Sequence, residues 1–331
     1  MLAPDLVPAA MVAAAVAPAL LLLWLVVAAD SRPEPAGMVL TALLLGALSA
    51  VVAAAVELWL KQHLPIAQNP WLAAGETALF LAGIPEETLK ISLIAAIALR
   101  SRDFDEPMDG VVYGTAVGLG FAALENVLYV AGETHWQAVA VMRGLLSVPF
   151  HGALGAIAGA YLARARFVGV LGSGRALRWR RPRLFASAWL VPTVLHSVFD
   201  ACLFSLAKFS DGAADTASGV LAILLILLLA LVTGFGSIVV AAVLARRIAR
   251  RQKAWLPTKR LPPAHWRDVW AECLVGIGLS FVAVTLVIAG GAGVKLLGLL
   301  LMAVAVGLSW KGAKYLNDAA RRRHQPAAAA S

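Results

Sequence analysis

Long apolar stretches alternate with short polar ones along the whole chain. The apolar stretches lie at about residues 8–29, 38–58, 77–99, 110–131, 137–163, 184–207, 217–245, 269–290 and 294–312. A membrane-spanning helix needs about 20 mostly apolar residues. The pattern therefore predicts an all-α fold, a polytopic transmembrane helical bundle of about nine spans.

Charge sits mainly in the loops of this 331-residue chain, which is 61% hydrophobic and 14% charged with a net charge of +9. All but five of its 28 Lys and Arg residues lie in loops that follow odd-numbered spans. Basic residues collect on the cytoplasmic side, so we expect the N-terminus outside and the C-terminus in the cytoplasm. The basic loops 164–183 and 246–267 should contact anionic lipid headgroups. Nucleic-acid binding is not expected, because no soluble domain presents the basic face.

The polar positions divide the chain into four predicted regions. These are residues 1–76 with two spans and an outer loop, 77–207 with a four-helix core, 208–316 with three additional spans, and 317–331 with a disordered basic tail.

The third span contains the most unusual polar group, Glu86-Glu87-x-x-Lys90. Charged side chains near a bilayer centre cost at least about 2.5–3.5 kcal/mol each, so they are rare and usually functional. Glu86 and Lys90 are four residues apart and should pair on one helical face. Glu87, rotated by about 100°, is expected to lack a partner within its own helix.

The next three spans also carry polar or ionisable residues, namely Glu125, Asn126, His151, His196 and Asp200. At about 1.5 Å per residue, the ionisable ones fall between the midplane and the outer half of the membrane, as Glu86 does. Because such groups avoid lipid, we expect them to form one polar site. Within it, the i,i+4 spacing lets Asp200 orient the His196 ring.

The charge of this site must be balanced, because four carboxylates face only Lys90. Some carboxyls keep their protons, or the histidines are charged, or a divalent metal is bound. Two His and one Glu are a catalytic zinc ligand set that leaves a position for water. Pro85, Pro149 and Pro192 each precede a site residue and predict kinks there. Arg143, close to the outer end of the fifth span, is expected to be an interfacial anchor.

Four motifs give the chain a family resemblance. They are Glu86-Glu87-x-x-Lys90, Phe121-x-x-x-Glu125-Asn126, His151 with its following glycines, and His196-x-x-x-Asp200. In this order, over about residues 84–200, they resemble the motifs of the PrsW family of intramembrane proteases. That family is related to the CAAX-processing and bacteriocin-processing membrane endopeptidases.

The resemblance implies an intramembrane endopeptidase of the bacterial cytoplasmic membrane. Its substrate would be a membrane protein with a single span, such as an anti-sigma factor, cut on the outer side in a site-1-type cleavage.

Roles for the site residues follow as hypotheses from this implied activity. Glu86 or Glu87 activates water, and Lys90 holds the pair. Glu125, His151 and His196 either bind zinc or hydrogen-bond the water and oxyanion directly. Asp200 orients His196, and Asn126 donates to the oxyanion.

Two other classes remain open from the residues alone. A proton-coupled transporter could use the same Glu, His and Asp groups as a relay, although the chain shows no internal repeat of the kind transporters often have. A non-catalytic membrane scaffold would have no need of the full Glu/His set.

Overall fold

The computed structural model describes residues 7–30, 32–101, 103–167, 176–209 and 216–253, and their regular structure is helical throughout. The helices are α1 (Val7–Ala29), α2 (Ala36–His63), α3 (Pro70–Glu76), α4 (Ile84–Arg100), α5 (Pro107–Ala131), α6 (Trp136–Leu145), α7 (Ser147–Arg166), α8 (Ala176–Leu206) and α9 (Ala217–Lys253). A π-helical turn, Thr77–Gly83, joins α3 to α4, and a 3₁₀ turn, Ala207–Phe209, follows α8. The predicted spans at 269–290 and 294–312 and the tail at 317–331 lie outside the described residues.

Six helical segments in these ranges are long and apolar enough to cross a membrane. They are Val7–Ala29, Ala36–His63, Pro107–Ala131, Trp136–Arg166, Pro182–Leu206 and Ala217–Arg250. The prediction of an all-α, multi-pass membrane protein is confirmed, whereas the count of nine spans and the orientation of the termini stay predictions. The third predicted span falls within the helical run from Pro70 to Arg100. This run is not one of the six, and it differs from them in the number of its charged side chains.

Local sequence signals begin two of the helices that lead to the site. The Asn69 side chain caps α3, where Oδ1 accepts hydrogen bonds from the backbone N–H groups of Trp71 and Leu72 at 3.0 and 3.2 Å. Glu106 and Asp109 form a capping box at the start of α5. Both helices have proline in their first turn, where a missing N–H costs nothing.

Helix α5 occupies the centre of the bundle, where it packs against α7, α2 and α1. Its glycines allow backbone-to-backbone contact with α7. A Cβ atom on Gly114 would overlap the carbonyl of Gly155, and one on Gly159 would overlap the carbonyl of Gly110. The small residues of α5 and α7 therefore pack against each other, and they bring the two backbones together beside His151.

A second buried polar group lies about 24 Å along α5 from Glu125, at the start of the helix. Tyr113 donates a hydrogen bond of 2.5 Å to Glu34 Oε2, and Arg32 lies 2.6 Å from Glu106 Oε2. Burial, together with the neighbouring Asp109 carboxylate, holds the pKa of Glu34 well above its usual range. These contacts tie the loop before α2 to the beginning of α5.

Candidate active site

The two glutamates and the lysine of α4 lie together in the protein interior. The π-helical turn ends at Gly83, and Pro85 occupies the first turn of α4 directly before Glu86. Glu87 and Lys90 are 0% exposed, and Glu86 is 8% exposed. Lys90 Nζ lies 2.7 Å from Glu87 Oε1 and 3.2 Å from Glu86 Oε2. The expectation that Glu87 has no partner in its own helix is therefore wrong, because residues three apart also share a helical face.

His151 joins α7 to this lysine. Lys90 Nζ lies 3.1 Å from His151 Nδ1. An ammonium group only donates hydrogen bonds, so Nδ1 accepts and the ring proton belongs on Nε2. His151 Nε2 lies 3.0 Å from Glu125 Oε2, so the ring nitrogen is in close contact with this carboxylate. The histidine thus links the α4 charges to a third carboxylate on α5.

The predicted fifth span is two helices, since α6 ends at Leu145 and α7 begins at Ser147. This break comes shortly before Pro149, where a kink was predicted. A π-helical turn likewise precedes Pro85, whereas α8 continues through Pro192. The break places the end of α6 beside α5, close to Glu125.

Arg143, at the end of α6, contacts the site instead of serving as an interfacial anchor. Its Nη2 lies 2.8 Å from Glu125 Oε2, and its Nε donates to Asn126 Oδ1 at 2.8 Å. Asn126 is fully buried, with Nδ2 3.5 Å from the carbonyl oxygen of Ala15 in α1. The anchor prediction was therefore wrong, and Asn126 contacts Arg143 and α1. The only sequence signal for this role of Arg143 was a cation within a span that also carries His151.

His196 of α8 has a carboxylate at each ring nitrogen. Its Nδ1 lies 2.8 Å from Glu87 Oε1, and its Nε2 lies 3.2 Å from Asp200 Oδ2 and 3.8 Å from Glu86 Oε2. Ionised carboxylates only accept hydrogen bonds, so the imidazolium form satisfies both sides. The predicted contact between Asp200 and His196 is present.

Aromatic rings enclose these charges on one side. Lys90 Nζ lies 3.8 Å from the centroid of the Phe121 ring, a cation–π distance. The Phe150 and His196 rings are perpendicular, with their centroids 6.0 Å apart. Two carboxylates of the polar site are more open, because the side chains of Glu125 and Asp200 are each 18% exposed. Water can thus reach these carboxylates more readily than it can reach Glu87, whose side chain is 1% exposed.

We call Glu86, Glu87, Lys90, His151 and His196 the Lys90 cluster. One ligand atom from each of its two glutamates and two histidines lies within 4.8 Å of the others, so the cluster could hold a metal ion by donor type and spacing. Glu125, a predicted metal ligand, is not in this group and pairs with Arg143. The Lys90 ammonium already contacts both glutamates and His151, so a cation there would have to displace it.

Comparison with known proteins gives one consistent family. Residues 34–234 match the profile described as PrsW family intramembrane metalloprotease. A protease PrsW from Bacillus subtilis (strain 168) is 32% identical over 201 residues, which are 60% of this chain and 85% of that protein. A protease PrsW from Geobacillus kaustophilus (strain HTA426) is 32% identical over 196 residues, which are 59% of this chain and 80% of that protein. No solved structure matches the chain.

Proposed function

This chain belongs to the PrsW family of intramembrane proteases, and on that premise we propose that the Lys90 cluster hydrolyses a peptide bond in or beside a membrane-spanning segment of another protein. Membership makes the chain a peptidase of the membrane instead of the transporter or scaffold that its residues alone left open. The observation that carries the assignment to this site is the convergence of two glutamates and two histidines around one buried ammonium.

Glu86 is the proposed general base. Its side chain is 11% exposed, whereas that of Glu87 is 1% exposed and contacts both Lys90 and His196. Glu86 therefore lies nearer to entering water, while Glu87 holds the two cations in place. In the proposed reaction Glu86 takes a proton from water as the oxygen attacks the scissile carbonyl carbon. Glu86 then delivers that proton to the departing amine nitrogen.

The remaining groups stabilise the developing charge or orient the histidine rings. Lys90 and the imidazolium of His196 are the positive groups of the cluster. They stabilise the negative charge that develops on the carbonyl oxygen. Asp200 holds the His196 ring, and Glu125 holds the His151 ring through Nε2. The Asn126 amide contacts Arg143 and the Ala15 carbonyl oxygen, so we assign it no direct contact with the oxyanion.

Zinc is the alternative way to activate the water. Glu86, His151 and His196 would hold the ion, and a bound zinc supplies a water of lowered pKa. We propose the glutamate version first, because the Lys90 ammonium already contacts Glu86 and His151. Metal analysis of purified, active protein tests this choice. Activity without stoichiometric metal and insensitive to chelators supports it, while stoichiometric zinc whose removal abolishes activity overturns it.

The substrate class is proposed from the depth of the site. The ionisable groups lie towards the predicted outer half of the bundle, which suits cleavage near the outer end of a substrate helix. We propose a substrate with a single span, such as an anti-sigma factor, in the bacterial cytoplasmic membrane. The basic loops would rest on anionic lipid headgroups at the inner surface.

A membrane-proteome comparison tests the function. Cells expressing wild type are compared with cells expressing Glu86→Gln, which keeps the side-chain shape and removes the base. Glu133→Gln, an exposed position in the loop after α5, is the matched control. We expect one full-length membrane protein to accumulate in Glu86→Gln cells only. If the three proteomes are the same while all three proteins are expressed and folded, the proposed function is wrong.

A further inference from the structure

Arg143 contacts four side chains in and around the polar site, although the proposed reaction assigns it no role. It lies in the last turn of the short helix α6, two residues before that helix ends at Leu145. Besides its contacts with Glu125 and Asn126, its Nη2 donates to Ser147 Oγ at 3.1 Å, and its guanidinium lies 3.8 Å from the centroid of the Tyr129 ring. These partners belong to α5 and α7. A planar guanidinium with five donors in fixed directions is suited to join two helices in this way.

Glu125 is shared between this arginine and the catalytic histidine. The same oxygen, Oε2, lies 2.8 Å from Arg143 Nη2 and 3.0 Å from His151 Nε2. The Glu125 side chain is 18% exposed, so without the arginine it has room to turn towards water. His151 Nε2–H would then lose its contact with this carboxylate, and the ring would no longer be fixed against Lys90.

We propose that Arg143 is a positioning residue for the reaction. Arg143 fixes the position of the Glu125 carboxylate, and that carboxylate orients the Nε2–H of His151. The unprotonated Nδ1 of His151 then accepts a hydrogen bond from the Lys90 ammonium. The effect on catalysis rests on the proposed function, whereas the effect on the His151 ring does not. The competing explanation is that Arg143 only attaches α6 to the bundle.

The first test observes the His151 ring directly. Full-length protein labelled with ¹⁵N-histidine is prepared in lipid nanodiscs as wild type, Arg143→Met and Arg143→Lys, and the His151 signals are assigned by their loss in His151→Gln. Arg247→Met, which removes an exposed arginine from α9, is the matched control. Wild type and control should show a protonated Nε2 whose proton exchanges slowly with water and an unprotonated Nδ1. In Arg143→Met that proton should exchange fast enough to lose its signal, and Arg143→Lys should fall between.

An unchanged His151 signal in Arg143→Met overturns the proposal. An unchanged signal together with a lower unfolding temperature is the result expected if Arg143 only attaches α6 to the bundle. If Arg143→Met does not fold, the comparison rests on Arg143→Lys, which keeps the charge but not the fork. A signal identical to wild type in this variant also overturns the proposal.

The second test measures cleavage of the full-length membrane protein that accumulates in Glu86→Gln cells. Arg143→Met should lower kcat by about 10- to 100-fold with little change in KM, as expected for the loss of a group that orients a catalytic side chain. Arg143→Lys should recover part of it, and Arg247→Met should match wild type. Unchanged kcat in Arg143→Met refutes the catalytic effect. If no protein accumulates in Glu86→Gln cells, the proposed function of the Lys90 cluster is wrong. The spectra then still show whether Arg143 positions the His151 ring.

Discussion

Replacing Lys90 by methionine removes the ammonium that lies between the Glu86 and Glu87 carboxylates. The change keeps the volume and apolar stem of a fully buried side chain, so packing is largely preserved. At 2.7 and 3.2 Å, the two ion pairs are each worth about 5–6 kcal/mol in an effective dielectric of about 20. Moving the ammonium out of water offsets several kcal/mol of that sum. We therefore expect Lys90→Met to lower the free energy of unfolding by about 3–5 kcal/mol.

The assay is thermal or denaturant unfolding of purified protein in one detergent, followed by circular dichroism. A loss of this size should lower Tm by about 10 °C. Lys61→Met, at an exposed position near the end of α2, is the matched control and should stay within about 0.5 kcal/mol of wild type.

A double-mutant cycle identifies the cause of the loss. If the cost comes from buried carboxylates left without a cation, Glu87→Gln should restore much of it in the Lys90→Met background. Lys90→Met protein as stable as wild type would refute the ion-pair reasoning. Simple additivity of the two losses would refute the coupling between Lys90 and Glu87.

Three further variants test other parts of the structure. Asp200→Asn should lower kcat by about 10- to 100-fold in the same cleavage assay, because His196 loses the carboxylate that orients it; an unchanged kcat would contradict this role. Gly155→Leu should lower Tm, because its side chain meets the α5 backbone, whereas Gly236→Leu in α9 has open space and should not; equal Tm values would contradict the close packing. Glu34→Gln should gain stability relative to wild type as pH rises above the usual carboxyl pKa of 4.5. The reason is that Glu34 keeps its proton in the folded wild type, whereas the unfolded chain has released it. Unfolding curves that shift equally with pH in both proteins would contradict this prediction.

The sequence predicted the helical fold because long apolar stretches have few alternatives in a membrane. It also predicted that Glu86, Glu125, His151 and His196 would meet, since each is costly in lipid and all lie at a similar depth. Those arguments use only length, depth and cost. They do not require knowledge of how one helix is rotated against another.

The errors concern contacts that depend on such rotation. Arg143 lies near a span end, where arginines often serve as anchors, and its partner Glu125 is on another helix across a loop. The break between α6 and α7 turns the end of α6 towards that partner, and apolar periodicity does not reveal such a break. The four-residue spacing pairs Lys90 with Glu86 alone, whereas Glu87 lies three residues before Lys90. The i,i+3 geometry would have predicted that contact.

The glycine contact between α5 and α7 limits how a substrate can reach the catalytic groups. Because Gly114 and Gly155 bring the two backbones together, there is no space for a third helix along that seam. A substrate segment would therefore reach the site from a side other than this seam, as far as the described helices show. Because α5 and α7 are in backbone contact along this seam, we expect Glu125 and His151 to keep their spacing even where other helices move.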